Sequence, residues 1–184
     1  MKSKTVKEIM VPVSDYAVVL KSASLQEALE ALENEKRQYK DGPYRHRSLV
    51  VVDDAKRVVG RVSQIDIMRA LEPRYKKIGD ISKLGLAGLT SKMLVTIREE
   101  FELWDRNIDT LHGIIGGLKV ADVMQVPSEG EFVKETDTMN IAMHRIVMGH
   151  HHTLLVTRDK MIVGILRSTD VFNALYDMLK LSRS

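Results

Sequence analysis

Short apolar runs bounded by charged turns alternate, along this chain, with stretches in which apolar residues recur every three or four positions. Val18-Val19-Leu20 is a short apolar run of strand type. It is followed by Leu25, Ala28, Leu29 and Leu32, the spacing of one face of a helix. Leu49–Val52, the charged turn Asp53–Arg57 and Val58–Ser63 then read as a hairpin, and a closing helix is predicted near Ile65–Leu71. The same order returns further on. Phe132-Val133 precedes a helical stripe of Met139, Ala142, Met143, Ile146 and Val147. Leu154–Thr157, Arg158–Lys160 and Met161–Leu166 form a second hairpin pattern, closed by a helix near Thr169–Leu179. Ser24 with Glu27 three residues on is a capping box, Asp137 is the expected N-cap of the equivalent helix, and Gly149 is its expected stop.

The repetition extends to the residues themselves. Val6-Lys7-Glu8-Ile9-Met10 returns as Val120-Ala121-Asp122-Val123-Met124, and Gly60-Arg61-Val62-Ser63-Gln64-Ile65-Asp66 returns as Gly164-Ile165-Leu166-Arg167-Ser168-Thr169-Asp170. Two copies of one β-α-β-β-α unit follow, neither expected to bury its apolar face alone. The expected division is residues 5–72, an insert at 73–117, and residues 118–180. The first copy is longer by a polar loop placed within Asn34–Arg45, where Gly42-Pro43 marks a turn. Within the insert, Thr90 or Ser91 opens a helix over about 90–112 whose apolar positions are Leu94, Ile97, Phe101, Trp104, Ile108 and Leu111. That heptad-like seam is expected to pack across the repeats, or else on a second subunit or a partner. Gly113-Ile114-Ile115-Gly116-Gly117 is no phosphate loop, lacking the Lys-Ser/Thr ending and a preceding strand.

Composition narrows the chemistry. The chain has no cysteine, which excludes disulfides, thiolate-bound zinc, iron–sulfur clusters and thiol nucleophiles. A net charge of +3 and few aromatics give no case for nucleic-acid binding. No apolar stretch has signal or membrane length, so a cytoplasmic protein without membrane insertion is expected. No nucleophile elbow, P-loop, zincin helix or paired-carboxylate motif appears, so an enzyme is not expected.

A tandem β-α-β-β-α unit ending in glycine, two apolar residues, Ser/Thr and a further Asp resembles the cystathionine-β-synthase (CBS) domain. Order, spacing and end motif agree twice. The resemblance implies an α/β (α+β) fold in which two CBS repeats pack as a pseudo-symmetric pair, with a helical segment between them. It implies a regulatory or sensor module that binds adenine nucleotides or other adenosyl ligands in the clefts between repeats, pairs into a homodimer and modulates an unidentified partner protein. AMP, ADP, ATP and S-adenosylmethionine are the candidate ligands, and no cofactor is required. A dimerisation module with degenerate clefts is the alternative.

On that resemblance Ser63, Asp66 and Asp170 are the candidate ribose contacts. Ser63 and Asp66 also suit plain helix capping. Arg167 stands where Ser or Thr is usual. It either clamps a phosphate with its planar fork or pairs with Asp170 and blocks the cleft. His46-Arg47 is similar to the His-Arg pair by which the γ subunit of AMP-activated protein kinase meets nucleotide phosphates. His151 and His152 stand at the matching place in the second copy. On an extended segment His150 and His152 would share a face, but two ligands with no carboxylate nearby in sequence make a weak metal site, and none is expected.

Overall fold

Each apolar run of the two hairpins is longer than one buried sheet face requires, and the structure shows why. The computed structural model describes residues 4–38, 48–78 and 88–181. In the first repeat, strand β2 (Val18–Leu20) lies parallel to β3 (Ser48–Val52), which pairs antiparallel with β4 (Val58–Ser63). In the second, β5 (Phe132–Lys134) lies parallel to β6 (Thr153–Arg158), which pairs antiparallel with β7 (Met161–Arg167). Leu49 and Val51 point into the core of the first repeat. Val50 and Val52 point the other way, onto Leu155 and Ile165 of the second. The central strands are therefore buried on both faces, which selects continuous apolar sequence rich in Val and Leu.

The repeats are not two closed units, because each begins inside the other. Val6 sits fully buried in the core of the second repeat with Val133, Met139, Leu154 and Leu166. Val120, its counterpart, is fully buried in the core of the first with Leu25, Leu49 and Val62. The backbone follows suit. Val6 N donates to Asp137 O (2.9 Å) and Val120 N to Ala23 O (2.9 Å), and the bridges Thr5 to Thr138 and Lys119 to Ser24 match in the same way. Strand β1 (Val11–Pro12) then adds to the edge of β7, while Gln125 bridges Arg61 of β4. The result is a pseudo-symmetric pair held together by exchanged segments.

The helices complete the layers. Helix α1 (Leu25–Gln38) opens on the Ser24–Glu27 capping box, with Ser24 N to Glu27 Oε2 at 2.7 Å. It runs on through Asn34–Gln38, which was expected to be loop; Glu35 on that last turn is buried. The rest of the expected loop lies outside the described residues. Helix α2 (Gln64–Leu71) closes the first repeat. Two separate helices, α3 (Ser91–Glu100) and α4 (Ile108–Gly117), replace the single helix expected over 90–112. Between them Glu102 and Trp104 take left-handed backbone (φ 49° and 64°). Met93, Leu94, Trp104 and Ile108 stay exposed instead of burying a continuous seam. The connection is tied back by Glu72, which is fully buried. Its carboxylate takes two bonds from the Arg74 guanidinium (2.8 and 2.9 Å) and one from Trp104 N (2.8 Å). Trp104 Nε1 in turn donates to the Tyr75 hydroxyl at 3.0 Å.

A short helix α5 (Val120–Val123) starts the second repeat, and α6 (Met139–Gly149) and α7 (Ser168–Leu181) pack on its sheet. Thr138, not Asp137, is the N-cap of α6; the Asp137 carboxylate instead closes the turn after β5 by accepting from Lys134 N (2.9 Å). The left-handed residue that ends α6 is His150 (φ 51°), one place beyond Gly149. Among the described residues no helix is long and apolar enough to cross a membrane.

Candidate functional site

The two glycine-to-aspartate motifs occupy equivalent places, where the last strand of each repeat gives way to its closing helix. At the first, Ser63 is extended (φ −108°, ψ 166°) and its Oγ accepts from Asp66 N at 3.3 Å. The Asp66 carboxylate reaches back to Ser63 N (2.9 Å) and to the Ser63 hydroxyl. This is a capping box, and it places a carboxylate that is only 5% exposed over the N-terminus of α2.

The second repeat completes that site. Arg61 N donates to Gln125 O (3.1 Å) and Gln125 N to Arg61 O (2.8 Å), which brings the Gln125 side chain to Asp66, where Nε2 donates to Oδ1 at 2.7 Å. Arg61 pairs with Glu131 across the repeats at 3.0 Å. Arg69, one turn along α2, holds its guanidinium 3.8 Å from Asp66 Oδ1 and stays part-exposed. Gln125, Glu131 and Arg69 were not among the sequence-based candidates. Gln125 had left a trace, because a polar residue stands there where the first copy has Val11.

At the second motif the arrangement is different. Arg167 N donates to Asp170 Oδ2 at 2.9 Å, repeating the Ser63–Asp66 backbone bond. The Arg167 guanidinium then closes on the same carboxylate with both arms, Nε to Oδ2 (2.8 Å) and Nη2 to Oδ1. Both side chains are largely buried. Tyr16 lies within electrostatic reach of this pair, packed among Val50, Val52, Leu155 and Ile165, and burial pushes its phenol well above the usual range.

The motif glycines do not face open space. A Cβ on Gly60 would lie 2.6 Å from Gln125 O, and one on Gly164 would lie 2.5 Å from Met10 Sδ and 3.0 Å from Val11 O. What approaches them is the exchanged strand of the other repeat.

The histidines scatter. His150 ends α6, so the run is not an extended segment with His150 and His152 on one face. The ring of His151 lies over Gly149 and within reach of Gly130, and the carbonyl of His152 accepts from Ser168 N at 3.0 Å, next to Arg167. Among the described residues no group of three His, Asp or Glu side chains gathers as a metal site. His46 and Arg47 lie outside the described residues.

Comparison with known proteins meets this geometry. The family model described as the CBS domain matches residues 6–73 and 120–177. Solved structures give the same architecture. CBSX2 from Arabidopsis thaliana is 24% identical, with a TM-score of 0.58 over 100% of this chain and 99% of that one. The structure of CBSX2 in complex with AMP, also 24% identical, has a TM-score of 0.59 over 94% and 97% of the two chains. The CBS domain of a bacterial CNNM/CorC family Mg2+ transporter in complex with ATP is 16% identical, with a TM-score of 0.56 over 92% and 85%. No curated relative matches the chain.

Proposed function

The chain belongs to the CBS-domain family, and from that premise we propose that it is a regulatory module that takes an adenine nucleotide or other adenosyl ligand beside Asp66 and passes the event to a partner protein. The observation that carries this reading is the convergence on one buried carboxylate of a helix N-terminus, a serine hydroxyl and a carboxamide from the opposite repeat. Such a carboxylate accepts the two hydroxyls of a ribose, Ser63 stands beside it, and Arg69 supplies positive charge for a phosphate. Two fold neighbours were solved with AMP and with ATP, which supports nucleotides as the first ligands to try; ADP and S-adenosylmethionine complete the set. Because the site is built from both repeats, a ligand there favours one arrangement of the pair over others, which is what regulation requires. Membership of the family supports a regulatory rather than a catalytic role. A homodimer fits the apolar faces left exposed on α2 (Ile65, Met68) and α7 (Phe172, Tyr176, Leu179).

Thermal denaturation of the purified chain with AMP, ADP, ATP and S-adenosylmethionine tests the ligand reading. A ligand at a hundredfold excess over its Kd raises stability by about 2.7 kcal/mol. The expected result is a rise with at least one of the four that disappears in Asp66→Ala. No rise with any of them supports instead the dimerisation scaffold, for which the closed Arg167–Asp170 pair is the favouring observation. Light scattering during gel filtration reads the oligomeric state, with twice the chain mass expected.

A further inference from the structure

We infer that Arg167 decides which of the two equivalent sites takes a nucleotide, latching the Asp170 site shut so that each chain binds one nucleotide, beside Asp66. The inference rests on the nucleotide reading above and gives it a stoichiometry. Both aspartates stand three residues after the end of the motif strand, both are more than nine-tenths buried, and both accept from the backbone N–H of the residue three before them. They differ in what else they hold. Asp66 is met by a serine hydroxyl and a carboxamide, neutral groups that rotate and exchange partners, with the Arg69 guanidinium only at 3.8 Å. Asp170 is met by a planar guanidinium that occupies both of its oxygens. Charge-assisted bidentate bonds are about twice as strong as neutral ones, and a ribose brings only neutral hydroxyls to compete for them. Displacing the fork would also strand a largely buried cation.

A second difference points the same way. The residue two places before the first strand of each repeat is Tyr16 in one copy and Gly130 in the other. Tyr16 brings a buried ring within electrostatic reach of the Arg167–Asp170 pair. The corresponding Gly130 has no side chain and lies beside the His151 ring, and its neighbour Glu131 pairs with Arg61. Asp170 is thus held by an arginine fork with a buried tyrosine in electrostatic reach, and Asp66 is held by neutral groups that can exchange partners.

Isothermal titration with AMP and, separately, ATP counts the sites. The wild-type chain is expected to bind one equivalent and to lose it in Asp66→Ala. In Asp66→Ala/Arg167→Ser, where the guanidinium is gone and Asp170 gains the serine hydroxyl that Asp66 has, one equivalent is expected to return. Adding Tyr16→Ala tightens that returned site. Circular dichroism melting checks that each variant folds, and the wild-type count needs no variant. Two equivalents in the wild type, or one that survives Asp66→Ala, overturns the latch. So does the absence of binding in the double variant with and without Tyr16→Ala. A wild-type chain that binds nothing, beside a double variant that binds one equivalent, refutes the Asp66 reading and leaves the latch standing.

Discussion

At Gly60 and Gly164 the place of a side chain is taken by a segment from the other repeat. Neither has positive φ, so backbone freedom is not what they supply. Each leaves a gap that the exchanged strand fills, and the two gaps differ in hardness. At Gly60 the obstacle is the backbone oxygen of Gln125; at Gly164 it is first the flexible end of Met10 and only then Val11 O. Gly60→Ala is therefore expected to destabilise by about 2 kcal/mol and Gly164→Ala by less, as overpacking against backbone costs more than against a mobile thioether. Urea denaturation of the two variants measures the difference, and an equal or reversed order would refute the assignment. At this scale Ser63 and Asp66 were legible because a capping box is local, set by a spacing of three. Gln125 was not, because its bond to Asp66 joins residues far apart in sequence through an exchange that no local pattern encodes.

Among the elements, the insert shows where periodicity misleads. Leu94, Ile97, Phe101, Trp104, Ile108 and Leu111 keep helical spacing without interruption, yet the helix stops at Glu100. The helix closes at left-handed Glu102, with Leu103 N donating to Arg98 O (2.9 Å), and Glu72, distant in sequence, then holds the turn by accepting from the backbone N–H of Trp104. Arg74 beside it, with Trp104 N, holds the Glu72 carboxyl down to about 2, below its usual 4.5. Because the folded value is the lower one, this group's stabilisation is fully present above about pH 4.5 and is lost as pH falls towards 2. Glu72→Gln, which keeps the shape and removes the charge, is expected to cost about 3 kcal/mol at neutral pH. It should also flatten the fall in stability over that acid window. Urea midpoints at pH 7, 4 and 3 for both proteins decide it; parallel losses would mean that the carboxylate is not the tie. The strands and hairpins, by contrast, were legible, since an apolar run, a charged turn and a second run admit few other readings.

Across the whole molecule, a repeat in sequence does not say whether each copy closes on itself or on its twin. Val6 and Val120 satisfy the same apolar pattern in either arrangement, and the structure places each in the other copy's core. That choice makes the pair one folding unit, because removing either entering segment opens a hole in the repeat it serves rather than in its own. Val6→Ala and Val120→Ala are each expected to lower stability by about 2 kcal/mol, the cost of losing two buried methyl groups with partial relaxation. In both variants unfolding should remain one transition, coincident when followed by far-ultraviolet circular dichroism and by the fluorescence of Trp104, which lies in the insert. Two resolved transitions in Val6→Ala, with the first repeat outlasting the second, would mean that the copies are separable. A single transition has a functional corollary. Asp66 is bonded to Gln125, which enters directly after the Val120 segment, so a nucleotide that tightens this junction stabilises both repeats together. The rise in melting temperature should then be the same by both probes, and a rise confined to one of them would show that the ligand acts on only part of the pair.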